Sequence, residues 1–182
     1  MSKVVLRIIL PLAGAAAALL AVELLGRSAL KGLDHYYNLP FIGVQCSSPP
    51  GTEREQFLAE VQFLAGLPNR VDVRDDDLAS RLREAFARHP WVESVADVQV
   101  STQGIVVQLR YRKPVLAVRS AGQMRAVDPS GILLPASANS DGLPVYSGKA
   151  APPAGPAGTR WGDKAVEAQA RSAALNGGRK AH

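Results

Sequence analysis

Between Arg88 and Asp128 apolar and polar residues alternate in two runs. Ala96, Val98 and Val100 fall on one side of an extended segment, with Asp97, Gln99 and Ser101 on the other. After Thr102-Gln103-Gly104 the alternation resumes: Ile105, Val107, Leu109 and Tyr111 stand against Val106, Gln108, Arg110 and Arg112. Two such runs about a short Gly-containing loop predict a β-hairpin with one buried face. Val115-Leu116-Ala117-Val118 and Met124-Arg125-Ala126-Val127 predict two more short strands, joined by a turn at Ala121-Gly122. Asp128-Pro129-Ser130-Gly131 predicts a further turn before Ile132-Leu133-Leu134.

Upstream of the hairpin the period lengthens. Phe41 to Cys46 predicts a short strand, stopped by Ser47-Ser48-Pro49-Pro50-Gly51. A helix over 53–65 follows, with Phe57, Leu58, Val61, Leu64 and Ala65 as one apolar stripe and a capping box of Thr52 with Glu55. Gly66 and Pro68 end it, and Arg70 to Val73 forms a loop or brief extended piece. A second helix over 76–88 carries Leu78, Leu82, Ala85 and Phe86 on one face, capped by Asp75 or Asp76 and stopped by Pro90. Trp91 follows at the junction of helix and strand, where it is expected to clamp the two together as a core residue.

At the N-terminus, Val4 to Leu25 is nearly all apolar, and its 22 residues span ~33 Å as a helix, enough for a bilayer core. Two readings fit: an uncleaved anchor with its N-terminus in the cytoplasm, or a signal peptide cleaved near Ala13 to Ala18. The apolarity that continues past the alanines favours the anchor, and either reading sends the remainder across the membrane. Gly148 to Gly158 has the composition of a Pro/Gly/Ala linker. Asp163 is placed to cap a last helix over 164–175, closed by Asn176-Gly177 and followed by a basic tail.

Charge sharpens this layout. The net charge is +5, yet residues 51–146 hold eleven Lys/Arg against twelve Asp/Glu, so the excess lies at the two ends. A nucleic-acid-binding domain would concentrate positive charge on its folded module, so none is expected. The single cysteine, Cys46, excludes an intrachain disulfide and reads as a small buried apolar residue.

Candidate chemistry is sparse. Hydrolytic triads, zinc spacings and phosphate loops are absent from the sequence. His35, His89 and His182 are scattered; His89 reads as a helix-end residue, favourable there when charged. Asp75-Asp76-Asp77 reads as a helix N-terminus rather than a metal site. The expectation is a non-enzyme with no catalytic, cofactor-binding or metal-binding residues, no cofactor and no small-molecule substrate.

The order strand, helix, helix, strand, strand, with Pro90-Trp91-Val92 leading into the third element, resembles a POTRA domain. The wider layout resembles the FtsQ/DivIB family of bacterial division proteins. The matching residues are His89 to Val95, Val98 and Val100, Ile105 to Leu109, Arg112-Lys113-Pro114-Val115, Val127 to Ile132, and Gly142-Leu143-Pro144-Val145-Tyr146-Ser147-Gly148. Arg112 departs from the pattern, standing where the family often has an acid.

The resemblance implies an α+β fold: a short cytoplasmic start (1–3), a transmembrane helix (4–25), a juxtamembrane connector (26–39) and a POTRA-like domain (40–113). The first strands of a β domain (114–147), a linker (148–160) and a short helix with basic tail (161–182) would complete it. It implies a truncated β domain, because in the family later strands form the edge that recruits partners. It also implies a non-catalytic scaffold, anchored in the cytoplasmic membrane with its bulk outside, that links septal wall-synthesis proteins by contacts with other membrane-anchored division proteins. The alternative is a periplasmic POTRA module that binds export or outer-membrane assembly substrates.

Overall fold

The computed structural model describes Leu20, Glu23 and residues 37–179. Among the described residues it is a mixed α+β fold with three α-helices and small antiparallel sheets. Among the described residues no helix is long and apolar enough to cross a membrane. The expected span over 4–25 lies outside the described residues, save Leu20 and Glu23.

The chain enters through β1 (Asn38–Pro40), which pairs antiparallel with β2 (Arg70–Asp72). These strand residues include the end of the segment expected as connector. The strand expected over 41–46 is not continuous. Phe41–Gly43 is a single 3-10 turn, closed by the Val44 N–H on the Phe41 carbonyl at 3.0 Å. The turn has a packing reason: Phe41 and Val44 are both buried, and their odd spacing would put them on opposite faces of a strand. Only Gln45 then takes up sheet pairing, as a parallel bridge to Val106.

Helix α1 (Arg54–Ala65) begins one residue later than the capping box requires. Its N-cap is Glu53, with no side-chain cap. It stops at Gly66, whose φ of 64° lets the chain turn left-handed while the N–H of Leu67 reaches back to the Gln62 carbonyl at 3.0 Å. Helix α2 (Leu78–Ala87) buries the expected face of Leu78, Leu82, Ala85 and Phe86. Asp75 braces its start, accepting the Asp77 N–H at 3.0 Å and pairing with Arg81 at 2.5 Å.

Both helices cover one face of the hairpin formed by β3 (Val92–Ser101) and β4 (Gly104–Tyr111). Phe57, Phe86, Leu82, Val92, Ile105 and Val107 share that core. The hairpin lies where the alternation predicts, with one correction. Register shifts fall between Val92 and Ser94 and between Val95 and Asp97. Each shift lets β3 carry an extra residue and reverses which parity faces inward. Val95 therefore packs on the core with Val98 and Val100, while Ala96 is exposed.

A second sheet contains β5 (Leu116–Ser120) and β6 (Gln123–Val127), turned through Ala121 and Gly122 at φ 49° and 79°. Leu133 bridges to Val127 on one side, and Val145 bridges to Ala117 on the other. Helix α3 (Lys164–Arg179) lays Val166 and Ala170 against Leu116, Val118, Val127, Leu133 and Trp161. The Asp163 carboxylate accepts the Ala165 N–H at 2.9 Å, as expected of a cap. The helix runs past Asn176-Gly177 instead of closing there.

The Pro/Gly/Ala run over 148–158 does not hang free. The Ala151 carbonyl accepts the Trp161 indole N–H at 2.9 Å, and the Gly158 N–H reaches the Leu133 carbonyl at 2.8 Å. Trp161 is fully buried and gathers the run around itself. A large side chain with one polar atom explains why this linker-like composition is ordered: the ring needs a wall, and its N–H needs a carbonyl.

Trp91 is buried as expected but clamps different partners. It packs with Ala126 of β6 and with Leu134 and Ala138 in the segment after it, with Tyr111 and Leu143 alongside. It joins the two halves of the molecule rather than helix to strand within the first.

Candidate functional site

The hairpin geometry identifies which backbone groups of the first sheet are spoken for. Ser101 pairs with Gly104 across a two-residue loop, so these two exchange hydrogen bonds, as do Gln99 with Val106 and Asp97 with Gln108. The residues between them, Val98 and Val100 on β3 and Ile105 and Val107 on β4, point their N–H and C=O groups away from the hairpin. On the β4 side those groups are used. The Gln45 N–H reaches the Ile105 carbonyl at 2.9 Å, and the Val107 N–H reaches the Gln45 carbonyl at 2.8 Å.

The β3 side has no neighbouring strand among the described residues. There the Val98 N–H is taken by its neighbour's side chain, the Asp97 carboxylate, at 2.9 Å. The second Asp97 oxygen accepts from Gln99 Nε2 at 2.8 Å. The Val98 carbonyl and both backbone groups of Val100 form an open edge. Beneath it Val98 and Val100 pack on the core, and above it Gln99 and Ser101 are exposed. The two bulges lie nearer the start of β3 and twist that end away from regular pairing. The regular, unpaired stretch is thus Val98 to Ser101.

The other singled-out residues serve the fold. Cys46 is half-buried, and burial pushes its thiol up to about 11, so it is no ready nucleophile. His89 is buried against Phe57, edge to face at 4.8 Å between ring centres. Its Nδ1 accepts the Trp91 N–H at 3.3 Å, leaving Nε2 to donate to Glu60 at 3.1 Å. Burial holds the imidazole below its ordinary value, outweighing the pull of the Glu60 carboxylate. His89 directly follows the end of α2, as expected of a helix-end residue, and these bonds take its neutral form: protonating Nδ1 would break the bond to Trp91. His35 and His182 lie outside the described residues. Among the described residues no group of three or more His, Cys, Asp or Glu is placed to hold a metal ion.

Arg112 also has a structural role. It pairs with the buried carboxylate of Asp128 at 2.8 Å. The other Asp128 oxygen accepts the N–H groups of Ser130 and Ile132 at 2.8 and 2.9 Å. One carboxylate thus shapes the turn after β6 and ties it to the end of β4. An open cleft of about 860 Å³ lies between α3 and the 142–144 segment, lined largely by prolines and small side chains, with Lys113 its one charged group. It brings together no acid–base or nucleophile pair.

Sequence alternation located the β3 edge but could not show Asp97 as its occupant. The sequence carried no sign of it, because the alternation runs unbroken from Ala96 to Ser101 with Asp97 on the expected polar side. No protein-family model and no curated protein matches this chain.

Proposed function

We propose that this protein is a non-catalytic scaffold of the bacterial division machinery. Residues 4–25 anchor it in the cytoplasmic membrane, and the described part stands outside. It links septal wall-synthesis proteins by accepting an extended segment of another membrane-anchored division protein along β3. The observation that carries this reading is the unpaired edge from Val98 to Ser101, where Val98 and Val100 pack on the core beneath. Main-chain pairing at such an edge gives affinity without reactive groups. The absence of hydrolytic, zinc and phosphate-loop patterns from the sequence and its resemblance to FtsQ/DivIB support the same reading.

A tagged copy in dividing bacteria tests it. Enrichment at mid-cell during constriction is the expected result, and an even distribution around the envelope would overturn it. Recovery of the mature protein in a soluble periplasmic fraction, beginning beyond Ala18, would favour the export-module alternative instead.

A further inference from the structure

Resting on the docking role assigned to β3, we propose that Asp97 selects the incoming strand: the edge takes an extended segment that carries a Lys or Arg opposite Asp97. The edge as it stands is occupied at one position, because the Asp97 carboxylate accepts the outward Val98 N–H. A strand that pairs along β3 must bring its own carbonyl to that N–H and displace the carboxylate. Asp97 is half-buried, so a displaced carboxylate needs a new donor beyond the Gln99 amide that already holds its other oxygen at 2.8 Å. A basic side chain on the polar face of the incoming strand supplies both donor and charge.

The strand's own charge points the same way. Across Val92–Ser101 the charged residues are Glu93 and Asp97, with no Lys or Arg. A second copy of the chain offering β3 edge to edge would bring acids against acids, so Asp97 also disfavours self-pairing. An acidic or neutral strand would leave the displaced carboxylate without compensation. Asp97 is thus both guard and selector at this edge.

The test uses the full-length protein in lipid nanodiscs and two terminally blocked nonapeptides alternating Thr and Val. One carries a central Lys on its polar face and the other a central Glu. The Lys peptide is expected to bind about five-fold more tightly, since an exposed cross-strand pair changes from attraction to repulsion between the two. Asp97→Lys should reverse the preference. Asp97→Ala should abolish it while strengthening binding of both peptides, because the Val98 N–H is then free. Binding should slow amide exchange at Val98 and Val100. Equal affinities for wild type, or an unreversed preference in Asp97→Lys, would overturn the selection by Asp97 and leave the docking edge standing. Failure of both peptides to bind wild type and Asp97→Ala would overturn the edge itself as a docking site.

Discussion

Truncating Trp91 to Ala tests how the two halves of the molecule are held together. The ring is 3% exposed and packs on Ala126, Leu134 and Ala138 across the junction. A buried Trp side chain removes roughly 150–250 Å² from water, so losing most of that area costs ~4 kcal/mol at ~25 cal/mol per Å². Ala126 and Ala138 have no reach to refill the gap, whereas Leu134 and the partly buried Leu143 can lean into it. The net cost is expected at ~3–5 kcal/mol. Main-chain bonds survive the change: the Trp91 carbonyl still accepts the Arg112 N–H at 2.9 Å.

Urea unfolding of the full-length protein in mild detergent provides the assay. Only two tryptophans are present, so in the variant Trp161 alone reports by fluorescence, and it sits in the core beneath α3. Loss of the clamp should separate the Trp161 transition from the far-UV circular dichroism transition. A cost below ~1 kcal/mol with coincident transitions would refute the junction role, since a buried aromatic cannot be removed so cheaply.

Asp128→Ala should cost ~3–5 kcal/mol in the same assay, because it strands the Arg112 charge and two backbone N–H groups. Arg112→Met should cost clearly less, since Asp128 keeps both N–H donors; equal costs would contradict the turn-shaping role. Gly131→Ala should destabilise by ~2–4 kcal/mol through left-handed strain and overpacking. At φ 73° an added Cβ would lie 2.5 Å from Glu167 Cγ and 3.1 Å from its Cα, so the α3 backbone must move; an unchanged melting temperature would show otherwise. For His89 the folded state holds fewer protons than the unfolded state, because burial depresses the imidazole. Stability should therefore decline as pH falls below about 6.5, and His89→Gln should flatten that decline between pH 7.5 and 5.5. A wild-type profile level across that range would contradict the neutral, bonded imidazole.

The legible parts of this fold were those governed by one periodicity at a time. The apolar positions of α2 recur at helical spacing and all four are buried. The hairpin loop and the Asp128 turn also sit where their residue types place them. What the sequence hid were choices between competing local solutions. Phe41 and Val44 look strand-like, but an odd spacing lets a 3-10 turn bury both. The bulges in β3 reverse parity without any change in composition, so Ala96 looked inward and Val95 outward. The 148–158 run has the composition of a linker because its order comes from contacts outside it, with Trp161 and the Leu133 carbonyl. Trp91 advertised burial but not its partner, since a junction between two halves depends on contacts far apart along the chain. For the candidate site, alternation located the strand, while the Asp97 contact follows a bulge that alternation does not mark.

Site-specific photo-cross-linking tests most directly the proposal that β3 receives a division partner. A photoreactive residue in place of Gln99, on the exposed side of the edge, would be introduced into the full-length protein in dividing bacteria. The expected result is an adduct with a membrane-anchored division protein, lost when Val100→Pro removes the outward N–H from the edge. Adducts formed only with export or outer-membrane assembly substrates, or a division-protein adduct unaffected by Val100→Pro, would contradict the account.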